Sequence, residues 1–347
     1  MNRFEIRDIT RTEVPLLRRD LASLYGKSDD LDESELRSRD WYFFGNPYGE
    51  GIYAGAFSGS KLLGVLGFTP SPLRVRGREV VGATLSDAIT HPEARGHGVF
   101  SALIKHLVSA ACARGYRIVF DIPNPASYRT YIDRLGFTEL FYCHRFARPL
   151  QWGRLGAPLG RVGSGLVGSL GLAYERILPL RGSQAYTVHR GLPPDLDTLM
   201  GASVGDDECA GVRSETWLRW RLSRPDRDYF QVAIRDSRGV LCGWAAACGT
   251  TRPATGTSRL HVGDYWIAPR RRSVLQALMA AMAEEAKARG LEEIYTISGS
   301  GGRRSYLRSL GFLRRRYATP MVGISPSGES LEPFRRWEYR DADADVF

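Results

Sequence analysis

Residues 86–104 read SDAITHPEARGHGVFSALI and contain the turn that decides the fold. A β-type run ends at a proline, a turn with two glycines follows, and an amphipathic helix begins directly after it. Gly96 and Gly98 have no Cβ, so the backbone can curl and bring several N–H groups towards one anion. The first helical turn adds unpaired N–H groups and the positive end of its dipole. The stretch therefore predicts a backbone cradle for a phosphate or pyrophosphate.

The segments on the carboxyl side of this turn follow a regular order. The helix of residues 101–115 carries one apolar face and ends at Gly115, a typical C-cap residue. Residues 118–120 then read as a buried strand, and a second helix runs from Asn124 to a Leu-Gly-Phe end at 135–137. The turn has neither the Lys-Ser/Thr pair of a P-loop nor the third glycine of a dinucleotide fingerprint, which excludes both of those sites.

This order of elements resembles the core of the GNAT superfamily of acyl-CoA-dependent N-acyltransferases. Arg95, Gly98 and Phe100 occupy the three positions of that family's pyrophosphate motif, although Phe100 stands where the family has Gly or Ala. The resemblance implies that acetyl-CoA or another acyl-CoA binds here as the cosubstrate. It implies contacts with the strand edge, the turn and the second helix at Ile89, Thr90, His91, Arg95, Gly96, His97, Gly98, Val99, Phe100, Asn124 and Tyr131.

The same resemblance implies two catalytic groups, one for the amine and one for the leaving thiolate. Asp87, on the strand that leads to the cradle, is expected to contact the acceptor amine; the alternative is a strand-end carboxylate bonded to backbone. Tyr128 is expected to protonate the thiolate, because it shares a helix face with Ile132, where the family often has tyrosine. Tyr131 competes for that role, and water or another residue is the remaining alternative.

The chain contains this core twice. Several residues recur after a nearly constant interval of 175 to 177 residues, which indicates a duplication. The pairs are Arg114-Gly115 with Arg289-Gly290, Tyr131 with Tyr306, Leu135-Gly136-Phe137 with Leu310-Gly311-Phe312, Asp87 with Asp264, and Trp41 with Trp217. The sequence therefore predicts an α/β protein of two tandem GNAT domains, each a mixed, mostly antiparallel sheet flanked by helices.

The two copies are not equivalent at the expected site. Residues 270–275 (RRRSVL) stand at the place of the cradle and contain no glycine, and Asn124 has no counterpart in residues 298–302. We therefore expect residues 1–150 to form the catalytic domain with the acyl-CoA site. Residues 186–347 would be a degenerate second domain that completes the acceptor site or buries a shared interface. Residues 151–185 would connect them as a closely packed helix or a mobile lid.

Composition limits the partners and the compartment. The net charge of +10 suits an anionic ligand or a solvated basic face, and no nucleic-acid-binding motif accompanies it, so nucleic acid is not expected. Five cysteines without Cys-x-x-Cys spacing predict reduced thiols in a cytoplasmic protein. No signal peptide or membrane span is expected, and the six scattered histidines predict no metal site. The oligomeric state stays open.

Residues 41–49 (WYFFGNPYG), together with 87–100 and 123–137, resemble a GNAT branch found in surface-polysaccharide and amino-sugar pathways. This resemblance implies transfer of an acyl group, expected to be acetyl, to the amine of an amino sugar. A nucleotide-linked sugar is one expected form, and the transfer is expected to be a direct attack in a ternary complex. The alternatives are N-acetylation of another small amine or an aminoglycoside, and a non-catalytic scaffold that binds acyl-CoA.

Overall fold

A mixed β-sheet runs through the whole computed structural model. The structure describes residues 4–155, 160–180, 182, 187–203, 209–252, 255–268, 272–299 and 301–343. The strands are β1 (Glu5–Asp8), β2 (Ile52–Ser58), β3 (Lys61–Val75), β4 (Arg78–Thr90), β5 (Val119–Asp121), β6 (Thr138–Pro149), β7 (Thr187–Arg190), β8 (Cys209–Gly211), β9 (Tyr229–Arg235), β10 (Leu241–Thr251), β11 (Ser258–Ile267), β12 (Glu293–Ser298) and β13 (Leu313–Ile324).

Helices cover this sheet and connect its strands. They are α1 (Arg18–Leu24), α2 (Glu33–Arg39), α3 (Val99–Ala113), α4 (Pro125–Leu135), α5 (Trp152–Leu155), α6 (Gly160–Ile177), α7 (Leu196–Ser203), α8 (Glu215–Arg221), α9 (Arg272–Ala288) and α10 (Gly301–Ser309). The predicted apolar face of α3 is buried, with Leu103, Ile104, Leu107 and Ala111 at most 1% exposed. The predicted helix of the connector is α6, which packs against α5, where Gly171 meets the Trp152 ring.

The strand order shows the duplication directly. It is β1-β2-β3-β4-β5-β13-β6-β12-β11-β10-β9-β7, so the two halves repeat each other outwards from the centre. Only β4–β5 and β11–β12 pair in parallel, and all other pairs along this order are antiparallel. The prediction of a mixed, mostly antiparallel GNAT sheet with flanking helices is therefore confirmed. The matching C-caps Gly136 and Gly311 have φ values of 72° and 80°, as their place after a helix requires.

The two halves exchange their last strands, a feature that the sequence did not predict. β13, from the end of the chain, lies between β5 and β6, with Val322 opposite Asp121. β6 in turn pairs with β12 of the second half, with Ser298 opposite His144. The division into residues 1–150 and 186–347 stays a prediction, and two strands cross it.

Polar and aromatic groups join the two halves away from the sheet centre. Trp41 and Trp220 stack with ring centroids 4.8 Å apart. Each indole nitrogen donates to the other residue's carbonyl oxygen, at 2.9 and 3.1 Å. Trp41 lies in the π-helical turn Asp40–Phe44 after α2, whereas Trp217 lies inside α8. The predicted equivalence of Trp41 with Trp217 stays a prediction, and it is Trp220 that makes the reciprocal contact with Trp41.

Candidate acyl-transfer site

The predicted cradle lies in a cleft where β4 and β5 diverge. The two strands pair at Ala83–Val119 and Thr84–Phe120, and β4 then continues to Thr90 with β3 as its partner on the other side. The resulting cleft has a volume of about 660 Å³. Its lining consists of Leu85, Ser86, Asp87, Ala88, Ile89, Thr90, Ala94, Arg95, Gly96, Gly98, Val99, Phe100, Ser101, Asp121, Ile122, Asn124, Ala126, Ser127, Thr130 and Arg134.

The glycine turn fits a pyrophosphate group. Gly96 and Gly98 have φ values of 80° and 83°, a left-handed conformation that other residues rarely adopt. A Cβ at either position would meet no other atom within 4 Å, so the space beside the backbone is open. Gly98 is also the N-cap of α3, and no side chain caps that end of the helix. The first N–H groups of α3 thus remain available to an anion.

Most residues predicted to contact the cosubstrate line this cleft, and three do not. His91 instead turns its Nδ1 towards the backbone N–H of Glu93, at 3.4 Å, and His97 lies exposed on the turn outside the lining. Tyr131 is completely buried, and its hydroxyl donates to Asp121 Oδ2 at 2.7 Å. The side chains of these three residues thus lie outside the cleft lining, and contacts of the cosubstrate with the strand edge at His91 and the turn at His97 stay predictions.

Tyr128 also points away from the cleft. The cleft-facing side of α4 consists of Ser127, Thr130 and Arg134, whereas the Tyr128 hydroxyl donates to Glu139 on β6. This hydrogen bond is the main reason that the pKa of Tyr128 is raised to about 12, with burial adding to it. The geometry therefore contradicts the expected role of Tyr128 as the proton donor to the thiolate.

Asp87 occupies a bulge of β4 beside the cleft. Gly67 pairs with Ser86 and Val65 pairs with Ile89, so Asp87 and Ala88 together lie opposite one residue of β3. The φ of Asp87 is 60°, which is uncommon for a residue with a side chain. Strained backbone of this kind is concentrated at functional sites.

Three side chains hold the Asp87 carboxylate. Tyr53 Oη donates to it at 2.7 Å, Arg39 Nε at 3.1 Å, and Tyr25 Oη donates to its other oxygen. Burial and the nearby Asp87 charge raise the pKa of both tyrosines, so both hydroxyls stay protonated donors. Burial opposes the charge of Arg39, but Asp87 outweighs it and the pKa of Arg39 is raised. Sequence patterns gave no signal for Tyr25, Arg39 or Tyr53, which follow no motif.

A second cavity of about 330 Å³ meets the cleft at this bulge. It is lined by Ser34, Glu35, Ser38, Arg39, Trp41, Tyr42, Phe43, Ser86, Asp87, Arg224 and Asp226. Ser86 and Asp87 belong to the lining of both cavities. Arg224 and Asp226 come from the second half of the chain, and the sequence did not single them out.

Residues 41–49 serve mainly as structure. Trp41 is 9% exposed and stacked on Trp220. Asn46 is buried and donates from Nδ2 to Thr69 Oγ1 and to the Pro70 carbonyl, at 2.9 and 2.8 Å. Tyr48 shares a hydrogen bond of 3.1 Å with Ser214 of the second half. The segment thus shapes the wall of the second cavity and joins the halves.

In the second half, residues 340–343 occupy the region beside β11. Arg340 Nε donates to the carbonyl oxygen of Tyr265 at 3.2 Å, and His261 Nε2 lies 2.6 Å from Asp341. Arg213 lies 2.6 Å from both Asp264 and Asp343, and all three are buried. Residues 269–271 and 300 lie outside the described residues, so Arg270 and Arg271 of the predicted degenerate cradle and Ser300 are not described, whereas residues 272–275 form the first turn of α9.

Two further expectations concern metal ions and membranes. Across the described ranges, no cluster of His, Cys, Asp and Glu side chains could hold a metal ion. Within the same part of the chain, no helix is both long enough and apolar enough to cross a bilayer.

Comparison with known families defines the class of protein. Residues 5–139 match the model of the acetyltransferase (GNAT) domain, and this segment contains the cleft, the glycine turn and Asp87. The protein is therefore an acyl-CoA-dependent N-acyltransferase with a GNAT fold, and acyl-CoA is its cosubstrate. A comparison with curated proteins gave no match.

Solved structures show the same fold over the whole chain. A GCN5-related N-acetyltransferase from Anabaena variabilis is 13% identical with a TM-score of 0.63, over 93% of this chain and 73% of that one. A tandem GNAT protein from the clavulanic acid biosynthesis pathway is 13% identical with a TM-score of 0.59, over 94% of this chain and 100% of that one. The N-myristoyltransferase of Saccharomyces cerevisiae is 14% identical with a TM-score of 0.63, over 100% of this chain and 86% of that one. At these identities the likeness concerns the fold.

Proposed function

We propose that the protein transfers an acetyl group from acetyl-CoA to the amine of an amino sugar by direct attack in a ternary complex. The observation that carries this proposal is the meeting of two cavities at Ser86 and Asp87. The cleft with the glycine turn holds the acyl-CoA, and the second cavity holds the acceptor. Both reactants then face the same bulge of β4, as a direct transfer requires.

The reaction needs no covalent intermediate on the protein. The amine nitrogen attacks the thioester carbon, the C–S bond breaks, and coenzyme A leaves as a thiolate. Backbone N–H groups at the β4 edge, residues 88–90, stabilise the developing oxyanion. Asp87 orients the ammonium and receives its proton directly or through a water. Water then protonates the thiolate, since the hydroxyls of Tyr128 and Tyr131 already donate to Glu139 and Asp121.

Binding of the cosubstrate is tested by thermal shift with acetyl-CoA on Gly98→Glu and on a matched control, Gly59→Glu. Gly59 also has a positive φ, 60°, and open space beside its Cβ position, but it lies outside the cleft. Both variants carry the same backbone strain, and only Gly98→Glu puts a carboxylate at the N-terminus of α3. We expect acetyl-CoA to stabilise the wild type and Gly59→Glu but not Gly98→Glu. Equal stabilisation of all three would contradict the cleft as the binding site.

Turnover is tested by thiol release from acetyl-CoA with a panel of amines, followed by mass spectrometry of the products. The panel contains a free amino sugar, a nucleotide-linked amino sugar, an aminoglycoside and a polyamine. Acetylation of an amino sugar without a pre-steady-state burst of acyl-enzyme is the expected result. A burst, or preferred acetylation of the polyamine, would overturn the proposal. Binding of acetyl-CoA without turnover on any amine would identify a non-catalytic scaffold.

A further inference from the structure

We propose that the loop after α8 recognises the acceptor, and that the acceptor is a hydroxylated amine whose sugar ring enters the second cavity without a pyrophosphate. This inference rests on the proposed function, because it assigns the acceptor side of the same site. It gives the second half of the chain a direct role in substrate selection. The loop contributes Arg224 and Asp226 to a cavity whose other lining residues belong to the first half.

The loop is held in place by the contact between the halves. Trp220, near the end of α8, is fixed against Trp41 by stacking and by two hydrogen bonds between indole nitrogens and carbonyl oxygens. Arg224 follows four residues later, and its guanidinium lies 6.0 Å from the centre of the Trp41 ring. The position of the loop relative to the first half is therefore defined by buried contacts, as specificity requires.

Asp226 and Arg224 form a bidentate pair inside the cavity. Arg224 Nε donates to Asp226 Oδ1 at 2.6 Å and Nη2 donates to Oδ2 at 3.2 Å. Burial opposes the charge of Asp226, but the bond from Arg224 outweighs it and the pKa of Asp226 is lowered. On the first-half side, Arg39 and Asp87 form a second carboxylate–guanidinium pair, through Arg39 Nε and one carboxylate oxygen. The cavity thus presents two carboxylate–guanidinium pairs.

Such pairs suit hydroxyl groups. A hydroxyl both donates and accepts, so neighbouring carboxylate and guanidinium groups can satisfy it on both sides. Ser34, Ser38 and Ser86 add hydroxyls to the same lining. Ser38 Oγ is buried and has no hydrogen-bond partner in the described part of the chain. A buried hydroxyl of this kind costs free energy unless a ligand bonds to it.

The charged groups that line the cavity are all paired, which leaves no free cation among the described lining residues for a phosphate. Its lining contains three carboxylates and two guanidiniums. Both guanidiniums are paired with lining carboxylates, and the third carboxylate, Glu35, is bonded to Lys27 outside the lining. Asp226 also pairs with Arg227, which lies outside the lining, at 3.3 Å. A pyrophosphate inside this cavity would therefore find both guanidiniums already occupied.

The experiment compares acetylation of glucosamine, cyclohexylamine and UDP-glucosamine by the wild type, Asp226→Asn and Glu215→Gln. Glu215 is a matched control, because it is an arginine-paired carboxylate on α8 that lies outside the cavity and 62% exposed. We expect glucosamine to be the best of the three acceptors. Asp226→Asn should raise the KM for glucosamine about 10-fold or more, because the charge-assisted hydrogen bond between the carboxylate and the acceptor is lost. The KM for acetyl-CoA should stay unchanged, and Glu215→Gln should behave as the wild type.

Equal KM values for glucosamine in the wild type and Asp226→Asn would overturn the role of the loop. A preference for cyclohexylamine or UDP-glucosamine would overturn the assigned acceptor class. Equilibrium binding of glucosamine in the presence of coenzyme A separates these failures from failure of the proposed function. If no amine is acetylated but glucosamine binds the wild type and not Asp226→Asn, the cavity is correctly assigned and the transfer reaction is not. Absence of glucosamine binding to the wild type would overturn the inference.

Discussion

At the scale of single residues, Asp87 has the most contacts that bear on the reaction. Its left-handed backbone places it in the bulge where the cleft and the second cavity meet. Arg39, Tyr25 and Tyr53 donate to its two carboxylate oxygens. Because three donors fix the position of this carboxylate, it is well suited to hold an ammonium in a defined orientation.

The two tyrosines of α4 give the first prediction. Tyr128→Phe should leave kcat within about twofold of the wild type, because its hydroxyl bonds to Glu139 outside the cleft. Tyr131→Phe should lower the free energy of unfolding by about 1 kcal/mol, since a buried hydrogen bond to Asp121 is lost. Urea unfolding and steady-state kinetics check both variants. A large loss of kcat in Tyr128→Phe with normal stability would restore that residue as the proton donor.

At the scale of elements, the C-terminal segment 337–343 joins parts that are distant in sequence. Trp337 packs edge-on against Phe120 of the first half, while Arg340 and Asp341 bond to residues of β11. Asp343 completes the buried group with Arg213 and Asp264. The same segment covers the region beside β11, the counterpart of the cleft strand β4. This arrangement is what we expect of a second half that serves the structure, and its lack of a second cosubstrate site stays a prediction.

The buried Asp343 gives the second prediction, on the pH dependence of stability. Burial raises its pKa to about 6; Arg213 opposes this rise, and the like charge of Asp264 adds to it. The folded state therefore binds the proton more tightly than the unfolded state. The resulting stabilisation is complete below the unfolded pKa, about 4, and is lost as the pH rises through about 6.

We expect the wild type to lose on the order of 3 kcal/mol more unfolding free energy than Asp343→Asn between pH 4 and pH 7. Urea titrations at several pH values measure this difference. Glu332→Gln is the control, because Glu332 belongs to the same C-terminal region but forms an exposed pair with Arg335. Parallel pH profiles for the wild type and Asp343→Asn would show that Asp343 does not titrate in this range.

At the scale of the whole molecule, the exchange of β6 and β13 joins the two halves in one continuous sheet. Each half supplies the strand that its partner needs at the centre of the sheet. A shared core lies at the same place and includes Phe120 and Cys143 of the first half with Tyr295, Met321 and Trp337 of the second. Separation of the halves would expose this core and leave strand edges unpaired, which favours aggregation.

The third prediction follows from this exchange. Residues 1–150 expressed alone should be insoluble or unfolded, and so should residues 151–347. Co-expression of the two fragments should yield a soluble 1:1 complex that binds acetyl-CoA. Size-exclusion chromatography and circular dichroism distinguish these states. If residues 1–150 alone form a folded monomer that binds acetyl-CoA, the first half is an independent domain and the exchange is not required for folding.

The sequence by itself determined the local features of this protein. The glycine turn at 96–98, the apolar face of α3 and the repeated Leu-Gly-Phe ends were all readable, because backbone freedom and hydrophobic periodicity act within a few residues. These features were sufficient for the GNAT fold and the duplication. Roles that depend on side-chain direction were less secure, as Tyr128 and Tyr131 show, because a helix face does not identify what lies opposite it.

Only the tertiary structure decided how distant segments combine. Asp87 receives Tyr25, Arg39 and Tyr53 from 62, 48 and 34 residues away in the chain. The second cavity is completed by Arg224 and Asp226 from the other half, and the neighbours of β6 and β13 are exchanged. Contacts of this kind depend on the packing of whole elements. The residues of a strand such as β6 or β13 do not specify which other strand it pairs with. Their physical origin is long-range, so no local pattern in the sequence encodes them.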